Sequence, residues 1–187
     1  MEHEMANFGD LVSAAVIRGV APQEEGMILA GKFDAQCFAP DGSLRWEDEA
    51  PNLVTTQGRN DLFDKYLAGS SYTAAFFMGI MTATSWTAPV AGDTMASHAN
   101  WNESTNYAAA NNPAVTWNAA ASGNKASNGA VSFAINNNFT VPGPILKTTD
   151  IKAGNTGVLY SAGQFTGGNK VVQNGDTLTV TYTATSS

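Results

Sequence analysis

In residues 7–19, NFGDLVSAAVIRG, the apolar side chains Phe8, Leu11, Val12, Ala15 and Val16 recur at i, i+3, i+4, i+7 and i+8. That spacing lines them up as one stripe of a helix. Asn7 can cap its start, Gly19 can end it, and Arg18 suits the negative end of the helix dipole. VAPQEEG then reads as a linker. From Met27 the period shortens to that of a strand. MILAGKFDAQCF alternates around Phe33, Ala35 and Cys37, and APDGS supplies Pro40, Asp41 and Gly42 for a tight turn before LRW, which predicts a hairpin.

PNLVTTQGRNDLFDKYLAG predicts a helix near 57–68, with a cap at Thr55 or Thr56 and a stop at Gly69. Leu62, Phe63, Tyr66 and Leu67 share one face, expected to cover one end of the sheet. YTAAFFMGIMTAT reads as a buried strand. Short strands recur in AVTWN, GAVSFAIN, ILKTTD and GVLYSAG, and in the closing GDTLTVTYTATSS Leu178, Val180, Tyr182 and Ala184 alternate with threonines. The expected fold is mainly β: an antiparallel β-sandwich, immunoglobulin-like or jelly-roll-like, with one covering helix and an N-terminal helical arm. The expected division is an arm and linker over 1–26 and a β domain over 27–187. The arm's stripe either packs on its own domain or docks on a neighbouring subunit. In the second case Phe8, Leu11, Val12 and Val16 are the particle-docking residues.

Composition narrows the function. Charged residues make up 13% of the 187, about half the usual share, and Asn, Ser, Thr and Gly take their place. A net charge of −7 leaves no basic stripe for phosphates, so nucleic acid is not an expected partner. The single cysteine, Cys37, rules out an internal disulfide framework. The start MEHEMANF lacks the basic and apolar regions of a secretory leader, and no run approaches the ~20 apolar residues of a membrane span, so no membrane association is expected.

The densest chemistry lies in DTMASHANWNESTNY, residues 93–107, which holds Asp93, Ser97, His98 and Glu103. A Ser, His and Asp triad normally draws its members from distant segments, and adjacent Ser97 and His98 are hard to align. Zinc spacing is absent, and calcium on the Asp and Asn oxygens is a weaker option. The favoured reading is structural: Asp93, Thr94, Ser97 and Asn102 bond to the backbone while Trp101 and Tyr107 pin the loop to the core. GQFTGGNK, residues 163–170, lacks the order of a phosphate loop and reads as a turn. Glu47, Asp48 and Glu49 read as a solvated turn. The acceptor patterns at Asn102 and Asn138 matter only on a eukaryotic secretory route. No catalytic residue, metal or cofactor is expected.

DGSLRWEDEAPNLVTTQGRNDLFDKYLAG, FFMGIM, DTMASHANWNESTNY and VVQNGDTLTVTYTATSS, in that order, resemble small structural proteins encoded in the virion gene clusters of tailed bacteriophages and prophages. The likeness covers roughly residues 33–187, with Asn100 where such proteins commonly carry Gly. It implies a virion component without catalytic residues, in which Asp93, Ser97, His98, Trp101, Glu103 and Tyr107 form a structural loop. Two locations fit. One is a capsid decoration or short head-fibre protein that meets the shell and copies of itself, as a homo-oligomer such as a trimer. The other is a tail or collar component, including a receptor-facing adhesin. A free carbohydrate-binding module is the alternative outside the virion.

Overall fold

The alternation around Phe33, Ala35 and Cys37 does produce a strand that buries every second side chain: all three are at most 2% exposed in β1 (Leu29–Phe38). The computed structural model describes residues 28–67, 75–99 and 101–186. The expected arm, with Phe8, Leu11, Val12 and Val16, lies outside them, as do Gly69 and Asn100. β1 turns into β2 (Leu44–Val54) with Phe33 opposite Ala50 and Cys37 opposite Trp46. At the turn, Asp41 accepts bonds from the Ser43 N–H at 2.9 Å and its hydroxyl at 2.7 Å.

β2 runs well past LRW and includes Glu47, Asp48 and Glu49. These acids are therefore in a strand, not in the solvated turn expected above. Cross-strand partners make this possible: Gln36 donates to Glu47 and Lys32 to Glu49, both at 3.1 Å. Asp48 falls on the other face, in register with Ala35.

The helix α1 (Thr56–Leu67) starts where the sequence places it. Thr55 is its cap, with its hydroxyl accepting the Gly58 N–H at 3.0 Å. Its expected apolar face is not the packed one. Phe63 is 48% exposed, Tyr66 85% and Leu67 73%, and Gly58 is the buried residue of the helix. The helix docks by its first turn because Gly58 lies against the backbone of Tyr160, where a Cβ would stand 2.4 Å from the carbonyl oxygen. The Gln57 side-chain oxygen accepts the Leu159 N–H at 3.0 Å and fixes the same end.

The remaining strands are β3 (Phe76–Thr82), β4 (Asn102–Glu103), β5 (Ala114–Val115), β6 (Asn124–Ala126), β7 (Val131–Ala134), β8 (Phe139–Val141), β9 (Pro144–Lys147), β10 (Leu159–Gly163), β11 (Lys170–Val172) and β12 (Thr177–Ser186). Every pairing among the described strands is antiparallel. One path runs β4-β3-β9-β10-β2-β1-β12-β6, with β5 on β3 and β7 on β12, and β8 pairs with β11 apart from it. β2 belongs to both halves: up to Pro51 it pairs with β1, and Asn52–Val54 pair with β10. The protein is thus mainly β and antiparallel, with one helix among the described residues.

Both halves feed one core. Phe33, Phe133, Leu178 and Tyr182 come from one half and meet Met78, Ile80, Leu146 and Tyr160 from the other. The β3-β9-β10 half has a second buried face. There Met81, Ile145, Leu159 and Ala162 pack against Met95 and Trp101 from the loop after β3. Strands buried on both faces lose their alternation, which is why β9 and β10 are buried at every position.

Candidate functional site

Met95 and Trp101 of the segment Asp93–Tyr107 cover that second face, and its acids Asp93 and Glu103 turn inward while Ser97 and Asn102 stay exposed. Trp101 is 1% exposed, and its indole N–H donates to Asp93 Oδ2 at 2.8 Å. The Val90 N–H donates to the same oxygen at 3.0 Å, closing the turn before the loop. The Ser97 N–H donates to the Thr94 hydroxyl at 3.0 Å, so Ser97 contributes through its backbone. His98 stacks on Trp101 with ring centroids 4.1 Å apart and an angle of 18°. Its Nδ1 lies 2.9 Å from the Trp101 carbonyl, a contact that requires Nδ1 to carry the proton. Asn102 donates to the Thr84 carbonyl at 3.3 Å.

Beyond Trp101 the loop enters a buried ion pair. Glu103 and Lys147 have side chains 1% and 0% exposed, with Nζ 2.7 Å from Oε2. Oε2 also accepts the Ala153 N–H at 2.8 Å, and Oε1 accepts from Asn112 at 2.7 Å. Lys147 gives a further hydrogen bond to the Ile151 carbonyl at 2.7 Å. Asn112 in turn accepts the Tyr107 hydroxyl proton, and Lys152 sits 3.7 Å over the Tyr107 ring. Burial pushes the Lys147 ammonium below the ordinary lysine pKa, and the Glu103 charge opposes that shift. Burial likewise raises the Tyr107 phenol, with Glu103 adding to it. Gly79 makes room for the pair, since a Cβ there would lie 2.4 Å from Glu103 Oε1.

No protein-family model, curated protein or solved structure matches the chain.

Two more carboxylates repeat the pattern. Asp176, 1% exposed, accepts from Arg45 Nε and from the Gln173 N–H, each at 2.9 Å, and from the Cys37 thiol at 3.6 Å. Burial, with Asp176 beside it, pushes the Cys37 thiol up to about 12, so it is unreactive near neutral pH. Asp48 holds the 163–170 turn: it takes the Thr166 hydroxyl at 2.7 Å, the Gly167 N–H at 2.9 Å and Lys170 Nζ at 2.8 Å. Desolvation pushes this carboxyl up, but hydrogen bonds from Lys170 and Thr166 outweigh it and bring it from 3.8 to about 2.

A depressed carboxyl favours folding in its charged form. Its contribution is complete above 3.8 and is lost as pH falls through about 2. Asp48→Asn is therefore expected to destabilise the protein at neutral pH, with the difference from wild type shrinking as pH falls from 3.8 to about 2. Urea titrations across that range check it; a difference independent of pH would contradict the assignment.

Sequence reasoning singled out Asp93, Ser97, His98, Trp101, Glu103 and Tyr107; the structure brings Asp93, His98 and Trp101 together over the second face, leaves Ser97 exposed, and joins Glu103 through Asn112 to Tyr107, which packs on Phe133 in the main core. It missed Lys147, Asn112, Met95 and Asp176. Scarcity was the usable signal for Lys147: between Tyr66 and Thr149 the chain carries only Asp93, Glu103, Lys125 and Lys147 as charged residues.

The described residues also form two surface concavities. One, about 530 Å³, lies over β1, β2 and β12 and is lined by Asp34, Glu47 and Glu49, with Lys32 bridging Asp34 at 2.9 Å and Glu49 at 3.1 Å. The other, about 600 Å³, is mostly apolar and lies between α1 and the start of β1.

Proposed function

We propose that the chain is a structural component of a tailed-bacteriophage particle, a capsid decoration or short head-fibre protein. In this reading the two halves of the sheet are the layers of a β-sandwich of immunoglobulin-like or jelly-roll-like kind. The observation that carries the proposal is the use made of the inward-turned acids. Asp48, Asp93, Glu103 and Asp176 each accept two or more internal donors and each holds a loop in one shape. The segment richest in reactive side-chain types is thus built as a brace. The resemblance of residues 33–187 to virion proteins points the same way.

A charge-poor surface of Asn, Ser and Thr suits contact with the shell and with further copies of the chain, so partners are other virion proteins and the protein itself, as a homo-oligomer. The role is non-enzymatic and the location is the virion. A density map of the phage encoding the chain tests it. Density on the head matching this domain is the expected result. Density on the tail or collar would move the protein to a tail accessory role. A virion without it, together with a free monomer that binds polysaccharide, would replace the proposal with a carbohydrate-binding module.

A further inference from the structure

The Lys147 amine and the Asn112 side-chain amide each lie 2.7 Å from a different oxygen of the Glu103 carboxylate. A nucleophile and an acyl carbon are thus neighbours across one acid–base group. All three residues are buried, Lys147 at 0%, Glu103 at 6% and Asn112 at 3% exposure, and so is Tyr107 at 1%. The Tyr107 hydroxyl donates to Asn112 Oδ1, the oxygen on which negative charge gathers when the amide carbon is attacked. Backbone pairing fixes each member: Lys147 of β9 opposite Phe77 of β3, and Glu103 of β4 opposite Met81 of β3. Asn112 is held by its own N–H on the Asp150 carbonyl at 2.7 Å and by the next carbonyl, of Pro113, which accepts the Met78 N–H at 3.0 Å.

We propose that these groups react with one another, joining Lys147 Nζ to Asn112 Cγ in an isopeptide bond with Glu103 as the catalytic acid–base. The atoms balance without a co-reactant. Glu103 takes one proton from the Lys147 ammonium, and the freed lone pair forms the Nζ–Cγ bond while Tyr107 steadies the charge on Oδ1. Glu103 then gives its proton to Nδ2 and takes a second one from Nζ. The Cγ–Nδ2 bond breaks with its electron pair going to nitrogen, and ammonia leaves, as ammonium once it takes the proton that Glu103 still holds. Burial, which lowers the Lys147 pKa, favours the neutral amine that attacks. The Ile151 carbonyl, 2.7 Å from Nζ, keeps one N–H and so orients the lone pair. Water is kept from the acyl carbon by the same burial. The ion pair is the state before reaction; afterwards the neutral amide takes its place against Glu103 and ties β9 to the segment before β5. This is a single self-modification and does not rest on the virion reading.

The test is mass spectrometry of the folded full chain, denatured before measurement. The expected mass is that of the sequence less one ammonia. Asn128 and Asn174, each followed by glycine, can also lose ammonia by closing on their own backbone, so the bond must be mapped. Lys125 lies between Asn112 and Lys147, and trypsin therefore separates the two residues unless they are joined. The expected digest holds one branched peptide linking Asn112 to Lys147, with no cleavage after Lys147. A full sequence mass with normal cleavage after Lys147, or an ammonia loss that maps to another asparagine, would overturn the proposal. Glu103→Gln, which keeps the shape of the side chain and removes the base, should retain its own full mass; a branched peptide in that variant would overturn the role of Glu103. Tyr107→Phe gives a second reading should Glu103→Gln fail to fold. It removes the donor to Oδ1, and the branched peptide should accumulate several-fold more slowly after synthesis than in wild type. An equal rate would overturn the assignment of Tyr107 and of the attacked carbonyl.

Discussion

Lys147→Ala is expected to cost about 3–5 kcal/mol of folding free energy, which would make it one of the most damaging single substitutions in the chain. The magnitude comes from what is left behind. Removing the ammonium strands Glu103, whose side chain is 1% exposed, with the Asn112 amide and the Ala153 N–H as its remaining partners. It also strips the Ile151 carbonyl of its 2.7 Å donor. A buried charge without its counter-ion is far more costly than the same site with both charges absent, so the two singles must not add. Glu103→Ala alone should be nearly as damaging, because it strands the lysine. The double variant should cost less than the sum of the singles by about 2 kcal/mol or more. Urea titrations of the four proteins give the coupling directly. Additive costs, or a Lys147→Ala penalty below about 1 kcal/mol, would show that water reaches the pair.

The difference between the legible and illegible parts of this fold follows from range. Phe33, Ala35 and Cys37 announce β1 because a strand with one buried face writes its period into the sequence, and the β12 residues Leu178, Val180 and Tyr182 do the same. The Thr55 cap is legible for a similar reason, since donor and acceptor are three residues apart. Distance in sequence hides the rest. Glu103 and Lys147 are 44 residues apart and Asp48 and Gly167 are 119 apart, so composition can show that few charges exist but not which of them meet. The helix face was misread for a physical reason. Leu62, Phe63 and Tyr66 do share a side, but Gly58 against the Tyr160 backbone decides how the helix sits, and that side is left lining a groove. Likewise, Glu47, Asp48 and Glu49 look like a turn by composition. They become strand because β1 offers Gln36 opposite Glu47 and, on the diagonal, Lys32 within reach of Glu49 and of Asp34 opposite it.

Trp101→Ala is expected to destabilise the protein by about 3–5 kcal/mol, while His98→Ala costs about 1 kcal/mol, although the two rings touch. Trp101 is 1% exposed and fills the space between the loop and Met81, Ile145 and Leu159, so its loss opens a cavity on the second face of the sheet. It also removes the 2.8 Å donor to Asp93, whose carboxylate is then held by the Val90 N–H. His98 lies outside the tryptophan, half-buried, and its removal forfeits one stacking contact and one bond to a carbonyl. Trp101→Phe separates the two losses, since it keeps most of the apolar fill and deletes the N–H. Its cost should fall between the others, near the 1–3 kcal/mol of an unsatisfied buried acceptor. If the segment is a brace in a virion protein, incorporation into particles should follow the melting temperature across all three variants. A His98→Ala protein that melts like wild type yet fails in the particle would make the imidazole a contact residue in its own right.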